Sequence, residues 1–127
     1  MPTHPRPLSP HLSAYRFTLT MTMSVVHRAT GMALYAATVL LALWFIAGAF
    51  GDGALDVVHL IYGSWIGQII LFLATWSLFQ HLVGGIAHLF WDFGSGFSRE
   101  GRFGWSGATF IAGIVLTLLA WAVFVWF

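Results

Sequence analysis

The sequence predicts an all-α integral membrane protein with three transmembrane helices. Hydrophobic residues make up 59% of its 127 residues and charged residues only 7%, whereas a soluble domain needs roughly 25% charged residues to cover its surface. Three apolar blocks, separated by short glycine-containing connectors, are each long enough for the about 20 residues of a membrane-spanning helix. Cysteine is absent, so a metal or haem would have to be held by histidines or carboxylates.

The N-terminal part of the chain divides into an arm and a first span. Residues 1–23 contain all four prolines of the sequence, a density that prevents a regular helix. We therefore expect an extended arm at the cytoplasmic surface of the membrane. Residues 24–50 form the first apolar block, which carries no charged residue from Gly31 onwards and predicts the first transmembrane helix.

The second apolar block, Val57 to Trp91, is too long for one upright crossing and too short for two crossings joined by a turn. We therefore expect one long helix at about 60–91 that is tilted or protrudes from the bilayer. The third block predicts a span at about 104–127, whose polar stripe has no ionisable group and suits a scaffold role. Together the three spans form the predicted membrane anchor, residues 24–127.

The arginines predict the orientation of the chain. Arg6 and Arg16 precede the first span, and Arg99 and Arg102 lie between the second and third spans, whereas the loop after the first span has no arginine. Because positively charged loops remain in the cytoplasm, we expect a cytoplasmic N-terminus and a C-terminus on the opposite side. The arginines form no basic patch, and nothing in the sequence indicates nucleic-acid binding.

Two stripes of polar and small residues run along the first two predicted helices at steps of three and four. Such residues normally face the interior of a bundle, because lipid offers them no hydrogen-bond partner. A single histidine there could simply bond to a neighbouring helix, but several ionisable groups within membrane spans indicate a functional site. The stripes are Ser77, His81, Gly84, His88 and Asp92 on the second helix, and Ser24, His27, Arg28, Gly31, Tyr35 and Thr38 on the first.

The two histidines of the sequence HLVGGIAH, His81 and His88, have different expected roles. Residues seven apart on one helix are about 10 Å apart, whereas the axial nitrogens on a haem iron are about 4 Å apart, so one iron cannot bind both. We expect His81 to be the buried axial ligand of a b-type haem. Gly84 and Gly85, which lie between the histidines, either leave room for the haem ring or allow close helix packing.

A polar collar is expected between His81 and the cytoplasmic surface. Haem propionates need cations and hydrogen-bond donors near an aqueous edge. His27, Arg28 and His88 of the collar are suited to meet the propionates there. Ser24 and Arg28 would also hydrogen-bond a quinone carbonyl and stabilise the charge that develops there on reduction. His27 is expected too near the surface to reach the iron, so a second axial ligand would come from another chain. The collar consists of Ser24, His27, Arg28 and His88.

Three segments resemble the cytochrome b membrane-anchor subunits of succinate dehydrogenase (complex II): RPLSPHLSAY at 6–15, SVVHRATG at 24–31 and HLVGGIAHLFWD at 81–92. The resemblance implies a subunit that pairs with a second small anchor, shares one haem b with it and docks an iron–sulfur subunit and a flavoprotein subunit. The complex would oxidise succinate in the tricarboxylic acid cycle and pass electrons to ubiquinone in respiratory electron transfer. No catalytic site is complete in this chain alone, which would be a non-autonomous subunit of the enzyme.

The same resemblance implies roles for individual residues. His81 matches the axial haem ligand, with the other ligand on the partner anchor. Ser24 and Arg28 match quinone-site residues, while His27 and Arg28 match residues near the haem propionates. His88 is assigned to the same surroundings. The arm would meet the iron–sulfur subunit at the cytoplasmic surface.

Other features bear on location and on competing functions. Ala87 departs from the family, which often has an arginine at this position, so one cation near the haem edge is absent. The start of the chain leaves no room for a mitochondrial presequence, so we expect a bacterial cytoplasmic (inner) membrane rather than a mitochondrial one.

The main alternative function is a haem-free structural anchor of a respiratory complex. A proton-relay or transport subunit is disfavoured, because no carboxylate lies inside a predicted span.

Overall fold

The computed structural model describes Ala14 and residues 16–126, without the side chain of Trp126. This part of the chain is helical and contains no strand. Its elements are α1 (Leu19–Phe50), α2 (Asp52–Gly63), α3 (Trp65–Asp92) and α4 (Arg99–Trp121), followed by a π-helical segment, Ala122–Trp126. α1, α3 and the continuous stretch Arg99–Val125 are each long and apolar enough to cross a membrane. The predicted all-α fold with three spans is therefore confirmed.

Helix α1 begins five residues before the predicted start of the first span. Thr18 is the N-cap, and its side-chain oxygen accepts a hydrogen bond from the backbone N–H of Met21 at 3.4 Å. Residues 19–23, predicted as the end of the extended arm, are thus the beginning of a 32-residue helix. Most of the remaining arm lies outside the described residues.

The second span, predicted as one long helix at about 60–91, begins at Trp65 in the structure, because the helical stretch is interrupted at Ser64. The backbone of Ser64 is extended (φ −63°, ψ 156°), and its hydroxyl oxygen accepts a hydrogen bond from the N–H of Gly67 at 3.1 Å. Ser64 therefore ends α2 and caps α3. The sequence signal for this break is the pair Gly63-Ser64, a helix-ending glycine followed by an N-cap residue.

Helix α2 folds back along the C-terminal part of α1, and we call residues 41–63 the α1–α2 hairpin. Gly51 makes the turn with a φ of +103°, which favours glycine. The Tyr62 hydroxyl donates to the Leu40 carbonyl at 2.6 Å, and the Trp44 indole N–H donates to Nε2 of His59 at 3.1 Å. The ten residues of α1 in the hairpin, 41–50, extend about 15 Å beyond Leu40, at about 1.5 Å per residue.

Small and hydroxyl-bearing residues bring α4 close to its neighbours. Ser106, Thr109 and Thr117 are at most 4% exposed, and each hydroxyl donates to a carbonyl of its own helix. A Cβ on Gly113 would overlap the side chain of Gln80, so glycine is needed for this approach. The buried face of α4 is thus the polar stripe that the sequence predicted there, and α4 holds α3 in place.

Candidate functional site

Three histidines meet where α1 packs against α3, and we call His27, His81 and His88 the histidine cluster. The imidazole of His27 stacks on that of His81, with ring centroids 4.0 Å apart and ring planes inclined by 16°. The ring of His88 lies 4.8 Å from that of His27 and is inclined by 39°. The structure therefore brings together the three histidines that the sequence singled out within the first two predicted spans.

This geometry corrects the expected position of His27. From residue spacing, the His27 side chain was expected in a collar above His81, too near the surface to reach the iron. The two rings instead stack directly on each other. The level at which α1 meets α3 depends on the packing of the two helices, which spacing along one helix does not specify.

Each of the two stacked imidazoles lies against a glycine of the opposite helix. A Cβ on Gly84 would be 2.6 Å from Cδ2 of His27, and a Cβ on Gly31 would be 3.0 Å from Cε1 of His81. Gly85, by contrast, faces open space. Of the two readings left open for the HLVGGIAH glycines, close packing therefore describes Gly84, which admits the His27 ring.

The His81 imidazole is held by α1 through Nδ1. This nitrogen lies 3.0 Å from the backbone carbonyl oxygen of His27 and 3.3 Å from the hydroxyl oxygen of Thr30. A carbonyl oxygen can only accept a hydrogen bond, so Nδ1 carries the proton. In the neutral ring Nε2 then keeps its lone pair, which is the form of imidazole that binds a metal.

The other two histidines offer polar atoms at the same place. Nδ1 of His88 donates to the carbonyl oxygen of Gly84 at 2.7 Å, and His88 is the exposed member of the cluster. Nε2 of His27 is buried and has no hydrogen-bond partner among the described residues. Leaving such an atom unpaired costs about 1–3 kcal/mol, so His27 has an unmet need for a ligand or partner group.

Ser24 and Arg28 are not part of the histidine cluster. Both side chains are exposed, and Tyr35, two turns beyond Arg28, is 81% exposed. The stripe that the sequence predicted on the first helix thus contains both residues that contact α3 and residues that are exposed. His27 and Gly31 meet α3, whereas the hydroxyl of Ser24 and the guanidinium of Arg28 are open to a molecule outside this chain.

Sequence reasoning missed two buried polar residues, Thr30 and Gln80. Each is 2% exposed, and Oε1 of Gln80 has no hydrogen-bond partner within the described part of the chain. A signal for Thr30 was present, because it lies three residues after His27 and therefore on the same helix face. Gln80 precedes His81 and had no such pattern, since its burial depends on the approach of α4 at Gly113.

Comparison with known proteins gives consistent matches over nearly the whole chain. The family model described as succinate dehydrogenase/fumarate reductase transmembrane subunit matches residues 2–126. The succinate dehydrogenase cytochrome b556 subunit of Paracoccus denitrificans is 40% identical over 119 residues, which cover 94% of this chain and 92% of that protein. The subunit of the same name from Rickettsia bellii is 41% identical over 118 residues, covering 91% and 90%.

A mitochondrial relative is also similar. The succinate dehydrogenase cytochrome b560 subunit of Bos taurus is 38% identical over 117 residues, which cover 91% of this chain and 67% of that protein. These relatives are subunits of an oxidoreductase complex, and the subunit is not catalytic alone. The bacterial matches and the three apolar helices indicate a multi-pass protein of a bacterial inner membrane. The family model and the relatives establish that this chain belongs to the succinate dehydrogenase/fumarate reductase transmembrane subunit family.

Proposed function

We propose that this chain is the haem b-binding membrane anchor of a succinate:ubiquinone oxidoreductase and contributes to its ubiquinone-reduction site. The observation that carries the proposal is the bonding of His81, whose Nδ1 is held by α1 while Nε2 keeps a free lone pair. The name cytochrome b556 of the bacterial relatives supports it, since that name describes a b-type haem protein.

The residues of the histidine cluster fit a haem. His81 would bind the iron through Nε2, and a hydrogen bond from the other ring nitrogen to a carbonyl is the usual support of a metal-binding histidine. His27, Arg28 and the exposed His88 would bind the propionates, His27 through its buried, unpaired Nε2. When bound, haem b supplies one-electron redox chemistry. A second residue that holds the haem would come from the partner anchor.

The exposed face of α1 supports a role in quinone binding. The Ser24 hydroxyl and the Arg28 guanidinium are one helical turn apart and both exposed. These groups would donate hydrogen bonds to a ubiquinone carbonyl and stabilise the negative charge that develops on the oxygen during reduction. An arginine inside a membrane span is costly unless it has such a partner.

The uncovered surface of the chain supports a second membrane anchor as partner. Only 6% of the most apolar stretch of α1 is buried within the chain. An open groove of about 380 Å³ lies between α1 and α3, and its lining includes Ala33, Ala36, Ala37 and Ala74. Small side chains of this kind allow another helix to pack closely in a membrane.

The proposed orientation determines where the soluble subunits bind. With the N-terminus in the cytoplasm, the histidine cluster, Arg99 and Arg102 lie towards the cytoplasmic side. The iron–sulfur and flavoprotein subunits would dock there, close to the end of α1 that carries Ser24. The α1–α2 hairpin would then project on the opposite side of the membrane.

The proposal is tested on the complex purified from native membranes. We expect its dithionite-reduced minus oxidised spectrum to contain a b-type band, in proportion to the amount of this chain. A complex that copurifies with its soluble subunits but gives no b-type band would contradict haem binding. That result would favour the alternative, a haem-free structural anchor whose histidines only bridge α1 and α3.

Ser24→Ala and Arg28→Leu are each expected to lower the succinate:ubiquinone reductase activity of the assembled complex. A hydrogen bond to a charged group contributes about 1.5–3 kcal/mol, which corresponds to about 10- to 100-fold in rate. Succinate oxidation with an artificial dye that accepts electrons from the soluble subunits should remain normal. Equal loss of both activities would indicate defective assembly, and Met32→Ala, at an exposed α1 position one turn beyond Arg28, is the control.

A further inference from the structure

We infer that Thr30 is a positioning residue that fixes the His81 imidazole with its proton on Nδ1 and its lone pair on Nε2. The inference deepens the proposed function, on which its haem-related part rests. Thr30 touches neither the proposed iron ligand atom nor the quinone face of α1. It acts through His81, from the buried side of the α1–α3 contact.

The hydrogen bonds of Thr30 determine the role of its hydroxyl. Its oxygen lies 2.9 Å from the carbonyl oxygen of Val26, 3.0 Å from that of His27 and 3.3 Å from Nδ1 of His81. Nδ1 of His81 must itself donate to the carbonyl oxygen of His27, which can only accept. Towards His81 the Thr30 oxygen is therefore an acceptor, and its one hydrogen goes to a carbonyl oxygen of α1.

Two acceptors thus converge on Nδ1 of His81. The carbonyl oxygen of His27 is at 3.0 Å and the hydroxyl oxygen of Thr30 at 3.3 Å. If the proton moved to Nε2, the lone pair on Nδ1 would face the His27 carbonyl oxygen, which has no hydrogen to donate. The Thr30 hydroxyl could then meet Nδ1 only by giving up its own hydrogen bond to a carbonyl oxygen. Because Thr30 is only 2% exposed, water cannot replace these bonds, and the tautomer with the proton on Nδ1 is favoured.

The adjacent glycine makes this geometry possible. A Cβ on Gly31 would be 3.0 Å from Cε1 and 3.5 Å from Nδ1 of His81, so the imidazole lies directly against the backbone of α1. Thr30 then supplies the acceptor and Gly31 the space. A hydrogen bond from Nδ1 raises the basicity of Nε2, which strengthens its bond to a metal and stabilises the oxidised iron.

Thr30→Val tests the inference, because valine keeps the branched shape of the side chain and removes only the hydroxyl. We expect haem to leave the purified complex about 10-fold faster when a haem-scavenging globin is added, a size typical for loss of a group that supports a metal ligand. We also expect the haem midpoint potential to shift to a more positive value. Thr30→Ser, which restores the hydroxyl, should return both quantities towards wild type.

Thr38→Val is the matched control. Thr38 lies on the same helix, but its hydroxyl donates to the carbonyl oxygen of Tyr35 at 2.6 Å and is remote from the histidine cluster. Normal haem release and potential in Thr30→Val would overturn the inference. Equal changes in Thr30→Val and Thr30→Ser would also overturn it, because they would indicate a packing role that does not depend on the hydroxyl.

A measurement on the haem-free complex separates this inference from the proposed function. Nitrogen NMR of ¹⁵N-histidine-labelled complex, with the His81 signals identified by their loss in His81→Gln, reports which ring nitrogen carries the proton. We expect a protonated Nδ1 in wild type. In Thr30→Val we expect the same tautomer with broader His81 signals, because the His27 carbonyl oxygen remains while one of the two bonds that hold the ring is lost. A wild-type complex without any b-type band refutes the proposed haem function, whereas a protonated Nε2 in wild type refutes the role of Thr30.

Discussion

The His81→Ala variant is expected to lose the b-type absorption of the assembled complex. Within the histidine cluster, the His81 ring donates through Nδ1 to acceptors on α1, which leaves Nε2 as a metal-binding nitrogen. Alanine has no side-chain atom that can bind iron, and His88, whose Nδ1 donates to its own helix at Gly84, lies seven residues further along α3. We therefore expect a loss of haem rather than a small shift in its spectrum.

The measurement is the reduced minus oxidised spectrum of the complex, normalised to the flavin content of the complex. His59→Ala is the control, because His59 lies on α2, accepts a hydrogen bond from Trp44 and is remote from the cluster. Its spectrum should match wild type. Normal haem content in His81→Ala would refute the assignment of His81 as the iron ligand. Succinate oxidation with a dye acceptor shows whether the soluble subunits are still attached.

The Gly84→Ala variant is expected to damage the same site through the packing of α1 on α3. Its new Cβ would be 2.6 Å from Cδ2 of His27, closer than carbon atoms can approach, so the His27 ring or the whole of α1 must move. Extra atoms in a packed interface typically cost about 1–3 kcal/mol. Because His27 stacks on His81 and its carbonyl oxygen holds Nδ1, the displacement also disturbs the proposed ligand.

Gly85→Ala is the matched control, since no atom lies within 4 Å of the position that its Cβ would take. Alanine favours a helix over glycine by up to about 1 kcal/mol, so Gly85→Ala should be neutral or slightly stabilising. We expect only Gly84→Ala to lower the thermal unfolding temperature of the detergent-solubilised complex and its haem content. Equal behaviour of the two variants would contradict the packing role of Gly84.

Hydropathy and residue spacing were enough to predict the three spans and the histidines that meet at the candidate site. The interruption at Ser64 was missed because the block around it contains no charged residue and therefore looks continuous, whereas the Ser64 hydroxyl caps a new helix there. The faces of α1 were confused for a geometric reason. Neighbouring residues on a helix differ by about 100° in direction, so Arg28 cannot share the face of His27.

The level of His27 could not be predicted from spacing at all. It depends on how far α1 slides along α3, and this offset is set by the fit of His27 against Gly84 and of His81 against Gly31. The residues of these two fits are 57 and 50 positions apart in the sequence, so no local pattern reports them. Thr30 was overlooked for a related reason, since its hydroxyl acquires a role only once the His81 ring is placed beside it.

The hold of α1 on His81 has a consequence for the order of assembly. Both groups that orient the ring belong to this chain, so the imidazole is immobilised as soon as α1 and α3 pair in the bilayer. Ordering a side chain at an interface costs about 0.5–1.5 kcal/mol, and here that cost falls on folding rather than on association. A second subunit that binds later meets a His81 ring that is already ordered. Its binding therefore requires no further loss of His81 side-chain entropy, and the remaining entropy loss is that of the second subunit itself.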